Sequence, residues 1–234
     1  MSGRVGSITT EIIADGLVFN MDAANRASTI PSTSTLKTFN TIDTSISGSI
    51  VTDATWEEGS PSTFDFDGTD GKIETNFTTN GFSGLTVSAW IYRISNQVQY
   101  FASQWIEGSG TSSSWGLDTY TNKLLFFVRA GSSSKVITGG TNITTGVWRN
   151  VTGIWDGSNI YVYLDGISDA TPVSCTSMNT TTPNMSIASS TNDQYFLNGN
   201  INSVHVYNRA LSANEVLHNY NALKGRFGLW NTGQ

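Results

Sequence analysis

The chain has 234 residues, of which 38% are hydrophobic, and this is enough for one large β domain. Only 13% of the residues are charged, with 12 basic against 18 acidic, so no basic stripe is available to hold a nucleic-acid backbone. No run approaches the ~20 apolar residues of a membrane span, and the N-terminus has no apolar core of signal-peptide length. We therefore expect a protein made in the cytoplasm, with neither nucleic acid nor membrane as a partner. A single cysteine, Cys175, excludes a scaffold held together by internal disulfides.

Short, evenly spaced segments rich in β-branched and aromatic residues predict an all-β sandwich. Turn signals separate them at Asp67-Gly68, Asp156-Gly157, Asp165-Gly166 and Asn198-Gly199, where glycine allows a positive φ. The predicted strands, in chain order, are Gly16 to Asp22, Thr63 to Asp67, Gly71 to Thr75, Leu85 to Arg93, Tyr100 to Trp105, Ser114 to Asp118, Lys123 to Arg129, Lys135 to Thr138, Trp148 to Trp155, Asn159 to Asp165, Met185 to Ala188 and Ile201 to Tyr207.

Alternating side chains assign two faces to these strands. Ile160, Val162 and Leu164 point one way, while Tyr161 and Tyr163 point the other. Where both faces carry large apolar groups, the outer face must be covered by a long loop or by another subunit, and the sequence leaves both open. Residues 28–56 and 171–183 are polar and aperiodic, so we predict long loops there.

The C-terminal region joins a strand to a short capped helix. Ser212 and Glu215 have the spacing of a capping box. Apolar residues then recur at helical spacing, and Gly225 is placed to close the helix as a left-handed cap. The apolar residues of the helix are Val216, Leu217, Tyr220 and Leu223.

The segment from Gly199 to Phe227 resembles the end of laminin-G-like and pentraxin-like jelly rolls of the concanavalin A-like group. Three further blocks agree in the same order: Phe64 to Ile73 (F-D-F-D-G-T-D-G-K-I), Leu85 to Ile91 (L-T-V-S-A-W-I) and Trp148 to Gly166 (W-R-N-V-T-G-I-W-D-G-S-N-I-Y-V-Y-L-D-G). The resemblance implies a jelly-roll sandwich of two antiparallel sheets with a short C-terminal helix. We accordingly predict an N-terminal arm at 1–12, the domain at 13–225 and a C-terminal tail at 226–234.

The two ends carry a narrower resemblance. The opening, Ile12 to Ser28, and the tail, Tyr220 to Gly228, resemble laminin-G-like virion proteins of tailed phages of aquatic bacteria. Apolar side chains near both ends are candidates for contact with a neighbouring subunit or a capsid surface. These interface candidates are Val5, Ile8, Ile12, Phe227, Leu229 and Trp230.

Enzymes of this fold group that cut polysaccharides carry paired carboxylates as E-x-D-x-E on one strand. That spacing does not occur here, and Glu57 and Glu58 are adjacent, so they diverge on a strand. His205 and His218 have no companion serine or cysteine motif. We therefore predict a protein without enzymatic activity.

Calcium is the only cofactor that the resemblance implies, because related pentraxin-like sites bind it with oxygen ligands from two loops. The matching positions are Asp118, Thr121 and Asn122 in the first loop, and Asn192, Asp193 and Gln194 in the second. The candidate ligands among them are Asp118, Asn122, Asn192 and Asp193. Only two are carboxylates, so we expect at best a weakened calcium site, the alternative being ordinary Asx turns. The group Asp65, Asp67 and Asp70 is explained as a hairpin turn.

Sugar recognition requires exposed aromatic rings flanked by amides or carboxylates. The aromatic residues nearest to the loops that bind ligands in relatives are Trp105, Trp115, Tyr120 and Tyr195. A protein interface enriched in Trp and Tyr fits them equally well. We assign Trp90, Trp148 and Trp155 to core packing.

Two functions remain open. The first is a phage virion structural protein, either a capsid decoration protein or an exposed fibre or appendage module. It would assemble in the host cytoplasm and lie on the virion surface, with capsid or tail proteins or a second copy of itself as partners. The alternative is a lectin-like, carbohydrate-binding module that attaches to glycans of the host surface.

Overall fold

Two antiparallel sheets face each other in the computed structural model, which describes residues 12–30, 37–109 and 111–229. Sheet A contains β1 (Leu17–Asp22), β5 (Thr55–Glu57), β6 (Thr63–Asp67), β8 (Leu85–Arg93), β13 (Trp148–Trp155), β14 (Asn159–Leu164), β15 (Ile167–Ser168), β16 (Val173–Ser174) and β18 (Asn198–Tyr207). Sheet B contains β2 (Thr29–Ile30), β3 (Lys37–Phe39), β4 (Ser47–Val51), β7 (Lys72–Thr75), β9 (Gln99–Gln104), β10 (Trp115–Tyr120), β11 (Lys123–Ala130), β12 (Ser133–Asn142) and β17 (Ser186–Ile187). The predicted concanavalin A-like jelly-roll fold is confirmed.

The strand order follows from antiparallel pairing in both sheets. Sheet A runs β15-β14-β13-β8-β18-β6-β5, with β1 paired to β18 and β16 to β14. Sheet B runs β12-β11-β10-β9-β17-β7-β4-β3-β2. Strand β18 is central, because it pairs with β8 on one side and with β6 and then β1 on the other.

The core lies between the sheets and contains the inward-facing residues of both. Ile160, Val162 and Leu164 belong to it, whereas Tyr163 lies on the outer face of sheet A, as the alternation predicts. The sheets approach closely at Gly153, where an added Cβ would lie 2.3 Å from Cδ2 of Phe126 on β11. Glycine is therefore required at that position for the observed packing.

The outer face of sheet A is covered by the chain's own C-terminal segment. The helix α1 (Ala213–Leu223) begins at the predicted capping box, in which Ser212 N–H donates to Glu215 Oε2 at 2.8 Å. A 3₁₀ turn, Lys224–Phe227, follows it. Trp90, fully buried on this face, stacks against Tyr220 and Phe227. The sequence left open a long loop or another subunit as the covering; in the structure this part of the face is covered by a helix and a 3₁₀ turn of the same chain.

Two details of the helix prediction were wrong. Leu217 is 40% exposed, because the buried face of α1 is narrower than the apolar spacing indicated. The helix also does not end on Gly225, which lies within the 3₁₀ turn; the left-handed residue is Gly228, at φ 69°. The extra turn continues the covering of Trp90 beyond α1.

Three turn and loop predictions were also wrong. The turn at Asp67-Gly68 is not a hairpin, since β6 belongs to sheet A and β7 to sheet B. Asn198-Gly199 lies inside β18 rather than in a turn. The region 28–56 contains β2, β3, β4 and β5, short strands with too few alternating apolar residues to be recognised from sequence.

Three further predictions concern the single cysteine, membrane spans and the division of the chain. Cys175 is a buried thiol, and its backbone carbonyl accepts the indole N–H of Trp155 at 2.8 Å. Within the described ranges, no helix has the length and hydropathy needed to cross a membrane. The division into an arm, a domain and a tail stays a prediction.

Candidate functional site

A cleft of about 610 Å³ opens at one end of the sandwich, where loops from both sheets meet. It is bordered by the turn after β6, the loop between β8 and β9, the turn between β10 and β11, and the loop before β18. Its lining residues are Gly68, Asn96, Gln97, Val98, Tyr120, Thr121, Tyr195 and Phe196. Of the four predicted glycan-binding residues, Tyr120 and Tyr195 are brought together here.

Tyr120 is presented by the tight turn between β10 and β11. It is paired with Lys123 across the hairpin, and the two residues between them, Thr121 and Asn122, have φ values of 49° and 62°. Two successive positive φ values define a two-residue type I′ turn, which matches the twist of paired strands. The Tyr120 side chain is left 56% exposed at the end of the hairpin.

Tyr195 is held by the loop that precedes β18. Its φ is 54°, an uncommon value for an aromatic residue, and strained backbone of this kind is often found at functional sites. Its carbonyl accepts the N–H of Tyr100 at 3.0 Å, and the two rings are tilted with centroids 6.2 Å apart. The ring is thus supported on one side by Tyr100 while the residue remains 47% exposed.

Arg93 lies beneath the cleft and joins two of the segments around it to the segment after β12. Its guanidinium donates to Ile143 O at 2.9 Å, to Gln97 O at 3.3 Å and to Asn122 Oδ1 at 3.5 Å. The residue is 1% exposed, and burial lowers the pKa of the guanidinium. We regard Arg93 as a positioning residue, because it fixes the Gln97 loop and the Asn122 turn relative to each other.

The two tryptophans of the predicted glycan site lie elsewhere. Trp115 is fully buried in the core and donates its indole N–H to Thr79 Oγ1 at 2.9 Å, so the expectation of an exposed ring was wrong. Trp115 and Leu117 are two residues apart and lie on the same face of β10, and this alternation was a sequence signal that Trp115 is buried. Trp105 is 7% exposed and covered by the Arg129 guanidinium, 4.8 Å from its ring centroid.

Three of the four predicted calcium ligands are engaged with other groups of the protein. Asn122 accepts from Arg93, and Asn192 Oδ1 accepts the N–H of Glu107 at 2.8 Å. Asp193 forms an ion pair with Lys72. Calcium binding by these residues stays a prediction.

Asp118, the fourth of these residues, is a buried carboxyl group. Burial, and then the charge of Glu107, hold the pKa of Asp118 well above its usual value. Its Oδ1 has no hydrogen-bond partner among the described residues. Glu107 itself accepts the hydroxyl of Tyr100, so the charged group that acts on Asp118 is a second acid.

A second acidic group lies at the turn after β6. Carboxylate oxygens of Asp53, Asp67 and Asp70 are within 4.8 Å of one another. Burial opposes ionisation of Asp67, but the N–H groups of Thr69 and Gly71 outweigh it and lower the pKa of the carboxyl. These bonds form a local turn from Asp67 to Gly71, although it is not the predicted hairpin, and Asp53 was not anticipated.

The described interface candidates pack against the chain itself. Ile12 is buried in the cluster on the outer face of sheet A, and Phe227 and Leu229 pack against the same cluster. Val5, Ile8 and Trp230 lie outside the described residues. An external contact at Ile12 would require this buried side chain to move, whereas Phe227 and Leu229 are only partly buried, so contact through them stays a prediction.

Asn96, Gln97 and Phe196 are lining residues that the sequence did not identify. The polar pair Asn96-Gln97 between two strong strands was an available signal for a loop. Nothing in the local sequence placed that loop next to Tyr195, since the two are brought together by the pairing of β8 with β18.

Residues 67–217 match the family model of the concanavalin A-like lectin/glucanases superfamily, which is more than half of the chain. The chain belongs to this superfamily. No curated protein matches it.

Solved structures with the same fold include receptor- and ligand-binding domains of botulinum neurotoxins. One is of type C, which enters cells through interaction with two ganglioside molecules (TM-score 0.66, 14% identity, 89% of this chain and 51% of that chain). A second is the binding domain of neurotoxin DC in complex with SialylT (TM-score 0.65, 14% identity, 89% of this chain and 52% of that chain). A third is the ligand-binding domain of serotype D in complex with N-acetylneuraminic acid (TM-score 0.65, 13% identity, 88% of this chain and 51% of that chain). The chain spans about half the length of these structures, and at such identities the likeness concerns the fold alone.

Proposed function

We propose that this protein is a non-enzymatic carbohydrate-binding module that holds a glycan in the cleft between Tyr120 and Tyr195. The observation that carries the proposal is that both tyrosines, 56% and 47% exposed, line one cleft of about 610 Å³. Apolar faces of pyranose rings stack on aromatic side chains, and the volume is in the range of small-ligand sites.

Polar groups of the cleft supply the directional contacts that sugar hydroxyls need. Asn96 and Gln97 are exposed, and each amide offers both a donor and an acceptor. Thr121 adds a hydroxyl next to Tyr120. Among the described lining residues there is no carboxylate, whereas glycoside hydrolysis uses a pair of them, and this supports binding without cleavage.

The test is glycan binding by two single variants, Tyr120→Ala and Tyr195→Ala. Binding is first detected on an oligosaccharide array and then measured by calorimetry with the strongest ligand. Each variant should bind about tenfold more weakly, which corresponds to ~1.4 kcal/mol. Ile94→Ala is the control, because Ile94 is 58% exposed in the same loop but does not line the cleft. Unchanged affinity in both tyrosine variants, or no glycan bound by the wild type, would contradict the proposal.

A second candidate is a phage virion component, a decoration or appendage protein on the virion surface. The observation that favours a protein contact is an apolar pair on the helix-covered side, Ile167 and Leu217, which are 68% and 40% exposed. Gly166, which directly precedes Ile167, lies against Leu217, because a Cβ added at Gly166 would be 3.1 Å from Leu217 Cδ1. Ile167 and Leu217 are therefore neighbours on the surface. The partner would be a capsid or tail protein or a second copy of the chain.

This candidate is tested by the occupancy of purified virions. The double variant Ile167→Asp and Leu217→Asp should remain folded and be depleted from particles, while Ile94→Asp should be incorporated normally. Full occupancy of the double variant would contradict docking through this pair.

A further inference from the structure

We infer that the cleft selects uncharged glycans and discriminates against glycans that end in a carboxylate, such as sialic or uronic acids. This inference rests on the proposed glycan-binding function and adds the class of ligand. It follows from the charges that surround the cleft.

The described residues that line the cleft include no lysine, arginine or histidine. Carboxylates are bound most strongly by charge-assisted hydrogen bonds, above all from the planar fork of arginine. The lining instead offers amides, hydroxyls and aromatic rings, which suit neutral hydroxyl and acetamido groups.

The arginine beneath the cleft does not supply the missing cation to a ligand. Arg93 is 1% exposed, and its terminal nitrogens donate to Ile143 O, Gln97 O and Asn122 Oδ1. All three acceptors belong to the protein, so these nitrogens are already hydrogen-bonded, and Arg93 is not among the residues that line the cleft.

Acids predominate around the cleft. Asp67 and Asp70 flank the lining residue Gly68, and the lowered pKa of Asp67 keeps it ionised at neutral pH. On the other side, Asp193 lies two residues before Tyr195 and shares Lys72 with Glu74, whose oxygen is 2.7 Å from the ammonium. One cation between two carboxylates leaves a net negative charge there.

Lys123 is the cation on the Tyr120 side. It is the cross-strand partner of Tyr120, but it is not among the residues that line the cleft. A terminal carboxylate would therefore lose hydration without gaining a charged partner, and it would be repelled by the surrounding acids. We expect about tenfold weaker binding of an acidic glycan than of its neutral counterpart.

The experiment compares matched oligosaccharides with and without a terminal sialic acid, on an array and then by calorimetry with the wild-type protein. Neutral members should bind about tenfold more tightly, and the difference should shrink at high salt, because salt screens the surrounding acids. Asn96→Arg should reduce or reverse the preference by adding a cation to the lining. Asn96→Gln, which changes length without charge, should keep it.

The outcomes separate the two claims. Equal or tighter binding of the sialylated members, with Tyr120→Ala still weakening both, would overturn the selectivity and leave the glycan site in place. Absence of binding to every member would overturn the glycan site itself. An Asn96→Arg variant with an unchanged preference would show that lining charge does not set the selectivity.

Discussion

The ring of Phe227 stacks on the indole of Trp90, with centroids 4.1 Å apart and planes 19° apart. Phe227 also lies 4.8 Å from Trp148, so one C-terminal side chain covers two tryptophans of sheet A. An ion pair of 2.8 Å between Arg226 and the buried Asp22 holds the same turn in place. The C-terminal turn is therefore packed firmly against sheet A.

Phe227→Ala should destabilise the protein by ~2 kcal/mol, less than for a fully buried ring because Phe227 is half-buried. Urea unfolding followed by tryptophan fluorescence measures it, and Trp90 should become accessible to a quencher. Leu217→Ala, at a 40% exposed position of the neighbouring helix, should change stability by less than ~0.5 kcal/mol. Equal stability of the two variants would contradict the packing role of Phe227.

The capping box should give the protein a stability term that is lost in acid. The Arg209 guanidinium donates to both oxygens of Glu215 at 3.1 and 2.7 Å and lowers the pKa of that carboxyl to about 2; burial opposes this, and Ser212 adds to it. Because the folded-state pKa lies below the usual 4.5, the contribution is complete above about pH 5 and is lost as the pH falls toward 2.

Glu215→Gln should therefore lower the melting temperature at neutral pH and flatten its fall below about pH 5. Ser212→Ala should cost ~1 kcal/mol at neutral pH through the lost cap. If the melting temperature of Glu215→Gln depended on pH in the same way as that of the wild type, the ionisation of Glu215 would not contribute to the acid loss of stability.

Asp118→Asn should stabilise the protein at neutral pH. The folded-state pKa of Asp118 is raised by burial and then by Glu107, so the stability it contributes is present below the usual pKa of 3.8 and is lost as the pH rises through the raised value. The melting temperature of the variant should exceed that of the wild type at pH 7, and the two should converge near pH 3.

The matched control is Asp193→Asn, which removes a carboxylate that is 59% exposed, and it should have little effect. Each measurement is repeated with calcium and with a chelator. A calcium-dependent stabilisation of the wild type that Asp118→Asn removes would show a cation site at Asp118 and contradict the prediction.

Arg93→Met should weaken both stability and glycan binding. The substitution leaves the carbonyls of Ile143 and Gln97 without their donor, at a cost of ~2 to 4 kcal/mol by urea unfolding. It also frees the Gln97 loop from the Asn122 turn, so glycan affinity should fall. Arg26→Met, at a side chain that is 97% exposed, should leave both quantities unchanged. Wild-type affinity in a destabilised Arg93→Met protein would limit Arg93 to a structural role.

The sequence predicted those elements whose signals are local. The capping box at Ser212 and Glu215 specifies where α1 begins, because both hydrogen bonds lie within four residues. The alternation around Val162 likewise specified which face of β14 enters the core. In contrast, β3 has only three residues and little apolar periodicity, so its pairing depends on neighbouring strands.

The cleft depends on contacts that no local pattern contains. Asn96, Tyr120 and Tyr195 are far apart in sequence and are brought together by strand pairing and by Arg93. The error on Trp115 had a different cause, because its proximity to a loop was given more weight than its position two residues before Leu117 on an alternating strand. Tyr120 is exposed because it is the last residue of β10, beside the turn.

The guanidinium of Arg93 binds the main-chain carbonyls of Ile143 and Gln97, and only its third bond reaches a side chain, that of Asn122. Backbone oxygens are the same whatever residue carries them. The side chains at positions 96 and 97 can therefore be exchanged without removing the anchor that shapes the loop. A library randomised at these two positions, with Arg93 and Asn122 kept, should yield folded variants that differ in the ligands they bind.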